Sequence, residues 1–378
     1  MTWQLFSADQ PRYLLPDRWL EIEGQRRNDI RNPRCEGAVA GTPGTAPTNW
    51  ATFPTGGVVF NVVGSGTEAG IPYVDIRLSG TSTTGLGVLI RADQTYPTAA
   101  QNETWTHSAF VRLVGGSLAG ITNLTMFVTE WTAANVFVTQ GSTSFTAITG
   151  GALSGGRISH TRTLTGATTG RAGSQISWTP QIGVAIDATF RIGAPQLELG
   201  AFASTPILPP AGAPAVSTRG ADLVTAPLAS LGIAAGGPAT VLVHALMPVA
   251  FGTSGVEHTL VQMDDGTENN RFTLLNYSGT NVGVRRVLSA AASSASLGNM
   301  TPGTAFRAGF TISGGRMAGS LNGAAVVAVT GGPTAGLTTI RIGANVTGGL
   351  ALFGSMGLLR LLPTALADGD LQAAVAAL

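Results

Sequence analysis

Oxygen-bearing side chains crowd into one short stretch, residues 264–270, with the sequence Asp-Asp-Gly-Thr-Glu-Asn-Asn. Calcium prefers several carboxylate and amide oxygens as ligands, so Asp264, Asp265 and Glu268 are the predicted ligands if Ca²⁺ binds. The spacing departs from the EF-hand pattern, and a polar hairpin tip would carry the same residues without a metal. Calcium therefore stays an open alternative, and no other cofactor is predicted.

The spacing of the carboxylates argues against glycoside hydrolysis. That reaction uses two carboxylates roughly 5–10 Å apart, which on a β-strand usually means acids at positions i and i+2. Glu21 and Glu23 have this spacing but lie in a charged N-terminal segment. Asp75, Asp187 and Glu198 have no acidic neighbour at that distance along the chain. The sequence therefore predicts no catalytic carboxylate pair.

Nucleophilic chemistry lacks a recognisable arrangement as well. No serine occupies a Gly-x-Ser-x-Gly turn. The single cysteine, Cys35, cannot form an intrachain disulfide and is expected to be an ordinary buried thiol. The histidines are isolated from one another along the chain: His107, His160, His244 and His258. We therefore predict that the protein is not an enzyme.

Aromatic residues beside polar ones are candidates for sugar binding, because the C–H faces of sugars stack on aromatic rings while polar groups hold the hydroxyls. Tyr73, Asp75 and Arg77 alternate along one predicted strand and share a face. Trp105 and Trp131 lie on two further predicted strands. These five are the carbohydrate-binding candidates of the first half of the chain, and burial in the core is the alternative for each tryptophan.

The second half of the chain is poorer in aromatic candidates. All six tryptophans precede residue 200, and the only tyrosine after it is Tyr277. Tyr277 and Arg285, with the adjacent Arg286, form a polar and aromatic cluster near a predicted hairpin. The first half is therefore the better candidate for stacking a glycan, with Tyr277 and Arg285 as a weaker second site.

Hydrophobic residues recur with a period of two throughout the chain, which is typical of half-buried strands. Residues 73–78, 104–114 and 124–131 alternate in the first half, and residues 241–247, 271–275, 281–287 and 306–312 in the second. Asp368 is a candidate cap for a short C-terminal helix with Leu371, Val375 and Leu378 on one face. The predicted fold class is all-β, with two antiparallel β-sandwich, jelly-roll-type domains in tandem.

A proline-rich stretch, residues 204–221, is predicted to separate the two domains. It contains Pro206, Pro209, Pro210 and Pro214, and proline fixes φ and lacks the amide donor that a sheet requires. We expect a short, semi-rigid, extended linker. The predicted domains are then residues 31–203 and residues 222–378.

Residues 1–30 differ from the rest in composition, since aromatic residues alternate there with balanced charges. Such a mixture is typical of a docking arm, because rigid aromatic anchors bury much area at small entropic cost. An edge strand of the first domain explains the pattern equally well. We treat this segment as an attachment segment with that alternative open.

Composition excludes several classes of partner. The net charge of +1 gives no general attraction for nucleic acid or an anionic membrane, and no apolar run approaches the ~20 residues of a spanning helix. Asp9 and Asp17 interrupt the N-terminus where a signal peptide needs an apolar core, so we expect synthesis in the cytoplasm. Every basic residue is arginine, which suits carboxylate recognition, although a nucleotide-composition bias is the default explanation.

Three stretches carry a resemblance to known proteins. Residues 196–200 (QLELG), 205–208 (TPIL) and 217–222 (STRGAD) resemble the junction in tail and spike proteins of bacteriophages and gene transfer agents. Asn32-Pro33 followed by Gly-Pro turns that lead to Trp50 is similar to the opening of their carbohydrate-binding-module-like jelly rolls. The Asn322-Gly323 turn, residues 340–343 and Pro363 before a small helix resemble the end of concanavalin A-like lectin domains.

The resemblance implies a jelly roll followed by a concanavalin A-like lectin domain, and lectin domains of this kind often hold calcium. It also implies a receptor-binding protein on the surface of a phage or phage-like particle, as a head spike or tail fibre, that recognises a bacterial capsular or cell-surface polysaccharide. Such a protein would be a homo-oligomer, a trimer first and a pentamer second, attached through residues 1–30. A purely structural spike or fibre component is the alternative, and a polysaccharide depolymerase is a third.

Overall fold

The structure, a computed structural model, describes residues 13–14, 19–253, 256–331 and 336–378. The strands in the first half of the described chain are β1 (Tyr13–Leu14), β2 (Trp19–Ile22), β3 (Arg26–Asn28), β4 (Ala51–Phe53), β5 (Val58–Glu68), β6 (Ile71–Thr81), β7 (Val88–Arg91), β8 (Thr104–Gly116), β9 (Ile121–Trp131), β10 (Phe137–Ser144), β11 (Arg157–Thr163), β12 (Arg171–Pro180), β13 (Ala185–Leu199) and β14 (Ser217–Arg219).

The second half continues with strands and ends in a helix. Its strands are β15 (Val224–Pro227), β16 (Ala239–Leu246), β17 (His258–Asp264), β18 (Arg271–Ser278), β19 (Asn281–Leu288), β20 (Ala291–Asn299), β21 (Phe306–Ser313), β22 (Arg316–Leu321), β23 (Val327–Val329), β24 (Thr339–Ile342) and β25 (Gly354–Leu362). The helix is α1 (Asp368–Ala376), and two short 3₁₀ turns cover Leu153–Gly155 and Leu228–Leu231. The predicted all-β class with antiparallel sheets and a short C-terminal helix is confirmed.

The described chain forms two compact units. Unit 1 contains residues 26–219, and unit 2 contains the described residues up to Gln25 together with residues 220–378. Within its described residues the chain therefore passes from one unit to the other at Gln25–Arg26 and at Arg219–Gly220.

Unit 1 contains two five-stranded antiparallel sheets. Sheet A has the strand order β10-β9-β12-β7-β4, and sheet B has the order β11-β8-β13-β6-β5. Val74, Ile76 and Leu78 of β6 are buried in the core of the unit, as their alternation predicted. The polar residues between them, Asp75 and Arg77, lie on the outer face of sheet B.

Unit 2 is built in the same way. Sheet C has the order β1-β2-β25-β16-β21-β22-β23, and sheet D has the order β15-β24-β17-β18-β19-β20. Phe306, Ala308, Phe310 and Ile312 of β21 are all buried in its core, which confirms the predicted apolar face.

Within the described part of the N-terminal segment, β2 belongs to unit 2 and is therefore not an edge strand of the first domain, while the attachment role stays a prediction. Trp19–Ile22 pairs with Gly354–Met356 of β25 in sheet C, and Ile22 is fully buried in the core of unit 2. The Trp19 ring packs edge-on against His244 at 4.8 Å between ring centroids. Trp19, one of the predicted aromatic anchors, therefore packs within the chain. Residues 1–12 and 15–18 of the predicted segment lie outside the described residues.

The proline-rich stretch also differs from the predicted extended linker, because residues 204–219 belong to unit 1. Ile207 is buried, its N–H donates to Gln196 Oε1 at 2.8 Å and its carbonyl accepts from Asn28 Nδ2 at 3.1 Å. Further along, β14 pairs with β3. The prolines do exclude a sheet ladder, but buried side-chain amides satisfy the backbone instead, which composition alone does not reveal.

The C-terminal helix buries Leu371 and Val375 against Leu242, as the predicted apolar face requires. Its N-cap is Ala367, and no side chain caps it. Asp368, the predicted cap, instead lies in the first turn and pairs with Arg316 at 2.8 Å. A carboxylate in the first turn still interacts favourably with the positive end of the helix dipole. In the part of the chain that the structure describes, no helix has the length and hydrophobicity needed to cross a membrane.

Candidate functional site

The three predicted calcium ligands are placed at the turn between β17 and β18, but each carboxylate is engaged by protein donors. Asp264 accepts from Arg341 Nε at 2.7 Å and is fully buried. Asp265 accepts from the backbone and hydroxyl of Thr267, and these hydrogen bonds lower its pKa. Glu268 pairs with Arg271 at 2.8 Å. Among the described residues no group of three or more metal-ligating side chains converges, so calcium binding stays a prediction that would require these carboxylates to exchange partners.

Tyr73 and Asp75 lie on the outer face of sheet B, where an arginine from the neighbouring strand covers them. Arg191 donates twice to Asp75 at 2.8 Å and once to Glu68 at 2.6 Å. Its guanidinium carbon lies 3.6 Å from the centroid of the Tyr73 ring. A sugar would have to displace this guanidinium before it could stack on Tyr73.

Arg77 stands on the same strand as Tyr73 and Asp75 and is exposed. It makes a two-fold ion pair with Asp187 at 2.7 and 2.8 Å. The outer face of sheet B thus holds the predicted residues together, but in a network of ion pairs that leaves little unsatisfied charge for a ligand.

Trp105 is 2% exposed and packs in the core of unit 1, with its indole N–H donating to Glu103 at 3.0 Å. The prediction that it contacts a sugar is therefore wrong. The physical reason is its position on the inward face of β8, where a large ring fills the space between the sheets.

The two residues predicted for the second half, Tyr277 and Arg285, are neighbours on the outer face of sheet D. The Arg285 guanidinium carbon lies 5.7 Å from the Tyr277 ring centroid, and Arg285 pairs with Glu257 at 2.7 Å. Both are half-buried. Tyr277 and Arg285 are therefore in contact, but the charge of Arg285 is already neutralised by Glu257.

Trp131 is the predicted residue that remains available to a ligand. Met126 and Val128 of β9 point into the core, so the alternate residues Phe127, Thr129 and Trp131 point outward from sheet A. The indole N–H donates to Thr129 Oγ1 at 2.8 Å, which fixes the orientation of the ring while it stays half-buried.

Further aromatic rings surround Trp131 on this face. Tyr96 stacks on it with ring centroids 5.0 Å apart and an interplanar angle of 24°, and Phe137 meets it edge-on at 5.4 Å. The guanidinium carbon of Arg91 lies 5.2 Å from the Trp131 centroid and 4.8 Å from that of Phe53. We refer to Phe53, Arg91, Tyr96, Trp131 and Phe137 as the aromatic platform.

The platform combines buried support with exposed surface. Tyr96 lies over Gly173, where an added Cβ would meet its ring at 3.1 Å, so glycine makes room for the stack. Burial raises the pKa of Tyr96, which keeps its hydroxyl protonated at neutral pH. Phe137 is 49% exposed, and Phe53, Arg91 and Trp131 are half-buried. Such a pre-ordered aromatic surface can stack on an apolar ligand face with little loss of entropy.

Polar groups border the same face. Arg171 lies directly opposite Trp131 in the sheet, and Gln140 is opposite Thr129. Arg91 Nε donates to Gln175 Oε1 at 3.3 Å, and Arg171 Nη1 donates to the Tyr96 carbonyl at 3.2 Å. Hydrogen-bonding groups therefore frame the aromatic rings, which is the arrangement that amphipathic ligands require.

Sequence reasoning found one member of the platform and missed the rest. Trp131 and Phe137 flank the same turn, so their pairing in a hairpin was a usable signal. Phe53, Arg91 and Tyr96 come from β4, β7 and the loop after β7, which approach β9 only through the sheet order. No local pattern in the sequence encodes that order.

No protein-family model matches this chain, and no curated protein matches it either. Among solved structures it is similar to an arabinose-bound MgGH51 α-L-arabinofuranosidase, with a TM-score of 0.34 and 14% identity, over 51% of this chain. The match spans 31% of the arabinofuranosidase chain, so less than a third of that protein is represented.

Two further similarities are broader in coverage. Domains LG4–5 of the mouse laminin α1 chain match with a TM-score of 0.28 and 12% identity, over 76% of this chain and 88% of theirs. The CBM22-1–CBM22-2 tandem of Paenibacillus barcinonensis Xyn10C matches with a TM-score of 0.24 and 9% identity, over 87% of this chain and 99% of its own. With TM-scores below 0.5, none of these similarities assigns an activity to this chain.

Proposed function

We propose that this chain is a non-enzymatic glycan-binding protein and that the aromatic platform on sheet A of unit 1 is its binding surface. The observation that carries the proposal is the grouping of four aromatic rings and an arginine on an outward sheet face, with Phe137 and Trp131 still accessible. Sugar rings have apolar C–H faces and polar edges, so a rigid aromatic surface framed by amide and guanidinium donors complements them.

The state of the buried carboxylates supports a binding role over hydrolysis. Glu130 accepts from Thr165, Gly166, Thr169 and Arg162, and Asp264 is held by Arg341. A catalytic carboxylate needs a free oxygen that faces the scissile bond. Two carboxylates occupied by internal donors supply neither a general acid nor a nucleophile.

The resemblance of the junction and domain ends to phage and gene-transfer-agent spikes extends the proposal to a biological setting. The protein would be displayed on a particle surface as a homo-oligomer, a trimer first and a pentamer second, and would recognise a bacterial surface polysaccharide. Binding through several copies raises the avidity of a weak individual site without new contacts.

The direct test is retention of the purified full-length chain by host capsular polysaccharide, or its binding on a glycan array. Trp131→Ala and Phe137→Ala should each weaken binding about tenfold or more, because each removes ring surface from the stack (~1–3 kcal/mol). Tyr277→Ala is the matched control, since it removes an aromatic ring from the outer face of sheet D, and it should bind like the unmodified chain.

Three results would overturn the proposal. If no glycan retains the protein while particles still assemble, a structural spacer role is favoured. If Trp131→Ala and Phe137→Ala fold and bind normally while Tyr277→Ala does not bind, the site lies in unit 2. Release of new reducing ends from the polysaccharide would instead identify a depolymerase.

A further inference from the structure

Arginines of unit 1 are mostly neutralised by carboxylates. The ion-paired arginines of this unit are Arg26, Arg27, Arg31, Arg77, Arg112, Arg162 and Arg191. Arg91 and Arg171, like Arg34, differ in that no ion pair joins them to a carboxylate in the described part of the chain. Arg91 and Arg171 both belong to the outer face of sheet A, beside the aromatic platform.

Neutral acceptors hold these two guanidinium groups in place. Arg171 Nε donates to the Ala133 carbonyl at 3.1 Å and its Nη1 to the Tyr96 carbonyl, while Arg91 donates to the amide oxygen of Gln175. These bonds orient the cations without cancelling their charge. Both side chains are only half-buried, so the charge stays accessible.

Among the described residues, no acidic side chain on this face competes for them. The outward positions of the sheet include Phe137, Gln140, Ser142 and Ser144 of β10, Asn123, Thr125, Phe127, Thr129 and Trp131 of β9, Arg171, Gly173, Gln175, Ser177 and Thr179 of β12, Leu89 and Arg91 of β7, and Ala51 and Phe53 of β4. Asp93, in the loop after β7, accepts hydrogen bonds from the Arg31 guanidinium at 2.7 and 2.9 Å. The described residues of this face therefore carry two positive charges and no negative one.

Resting on the proposed glycan-binding function, we propose that this face selects acidic polysaccharides, with the carboxylate of a uronic or related acid sugar received by Arg91 and Arg171. The guanidinium fork matches a carboxylate in two parallel hydrogen bonds. The aromatic rings take the apolar face of the same or the neighbouring sugar. A neutral polysaccharide would offer no carboxylate to Arg91 and Arg171. It would gain only the stacking of its sugar rings on the aromatic platform.

Single-stranded nucleic acid is the other polymer that stacks bases on aromatic rings beside arginine. Its binding depends on a basic groove that follows the phosphates. The platform offers two cations in a chain of net charge +1, which is enough for one carboxylate but not for a phosphate track. The geometry therefore favours the acidic sugar.

The test compares one polymer in two charge states. Polygalacturonate and the same polymer after carboxyl reduction are titrated by calorimetry against the full-length chain at low and at physiological salt, with oligothymidylate as a third titrant. We expect the acidic polymer to bind roughly tenfold or more tightly than its reduced form, with the difference shrinking as salt rises.

Charge-matched variants complete the test. Arg91→Gln with Arg171→Gln should remove the preference for the acidic polymer, whereas Arg77→Gln with Arg316→Gln, which changes the net charge equally at ion-paired exposed sites, should retain it. Arg91→Lys with Arg171→Lys keeps the charge without the fork and should recover part of the preference, which separates loss of recognition from local misfolding.

The outcomes distinguish this inference from the proposed function. Equal binding of both polymers that depends on Trp131 overturns the acidic selectivity and leaves glycan binding standing. A preference for the acidic polymer that survives in the Arg91→Gln, Arg171→Gln protein overturns the assignment of these residues. Tight binding of oligothymidylate with neither polymer bound overturns both proposals.

Discussion

His107 and His160 lie directly opposite each other on β8 and β11 and are 1% and 9% exposed. His107 Nδ1 faces the Phe127 carbonyl at 3.0 Å. Because a carbonyl only accepts, Nδ1 carries the proton and Nε2 is bare. The Nε2 atoms of both rings are buried without a hydrogen-bond partner in the described part of the structure. Protonation would therefore place charge where no acceptor receives it.

This environment predicts acid-sensitive stability in unit 1. Burial lowers the pKa of His107 from 6.5 to about 4, and burial together with Arg162 lowers that of His160. Between pH 6.5 and about 4 the unfolded chain binds more protons than the folded one, so stability falls as the pH falls through this window. His107 alone should account for roughly 3 kcal/mol across it.

The measurement is urea unfolding at pH 7, 6, 5 and 4.5, followed by tryptophan fluorescence, because four of the five described tryptophans, Trp50, Trp105, Trp131 and Trp178, lie in unit 1, whereas Trp19 lies in unit 2. His107→Gln should flatten the dependence on pH. His244→Gln, in unit 2, is the control and should leave the fluorescence transition as steep in pH as before. A transition that does not depend on pH would rule out this account.

At the scale of elements, Asn28 decides how the proline-rich stretch is held. Its Nδ2 donates to the Pro195 and Ile207 carbonyls at 3.2 and 3.1 Å, and its Oδ1 accepts from the Ile30 and Leu197 amides at 3.0 and 3.1 Å. One fully buried amide thus satisfies backbone groups just after β3, at the bulged end of β13 and in the proline-rich stretch.

Asn28→Ala should therefore destabilise unit 1 by about 3 kcal/mol or more, since it leaves several buried backbone groups unsatisfied at ~1–3 kcal/mol each. The measurement is urea unfolding by fluorescence, with limited proteolysis of residues 208–216 as a local probe. Asn123→Ala, at an exposed strand position, should stay within about 0.5 kcal/mol of the unmodified chain. Equal stability of the two variants would contradict the role assigned to Asn28.

At the scale of the whole molecule, unit 2 is completed by residues from the other end of the chain. Ile22 is fully buried in its core, and the Glu23 amide donates to Asp222 at 2.7 Å. A sandwich assembled from both ends of a sequence depends on closure of a very long loop, which contributes to slow folding.

Ile22→Ala should destabilise unit 2 by about 2–4 kcal/mol, as large-to-small changes in a core do, and should leave unit 1 unaffected. Hydrogen exchange followed by mass spectrometry should show faster exchange in Gly354–Leu362 and Ala239–Leu246, with Ala185–Leu199 unchanged. Val327→Ala, at an exposed position of the same unit, is the control. Faster exchange in Ala185–Leu199 as well would show that the units are not independent.

The buried faces of the strands could be predicted from the local alternation of residue types alone. Val74, Ile76 and Leu78, and likewise Phe306 to Ile312, recur every second residue, and a pleated strand necessarily turns such residues to one face. The all-β class follows from this period of two, and the buried face of the C-terminal helix follows from the helical period in the same way. Trp131 was identified as a candidate because it lies on a strand that alternates in this way.

Which outward-facing residues contact one another depends on the order of the strands in each sheet and on how the sheets pack. Trp105 and Trp131 both lie on alternating strands, yet Trp105 is buried in the core and Trp131 lies on the outer face. The face that a strand buries depends on the sheet that packs against it. Arg91, Tyr96 and Phe53 join Trp131 through the order of strands in sheet A, and Asn28 reaches Ile207 across most of unit 1. Contacts between residues distant in sequence arise from sheet order and packing, on which neighbouring residues carry no information.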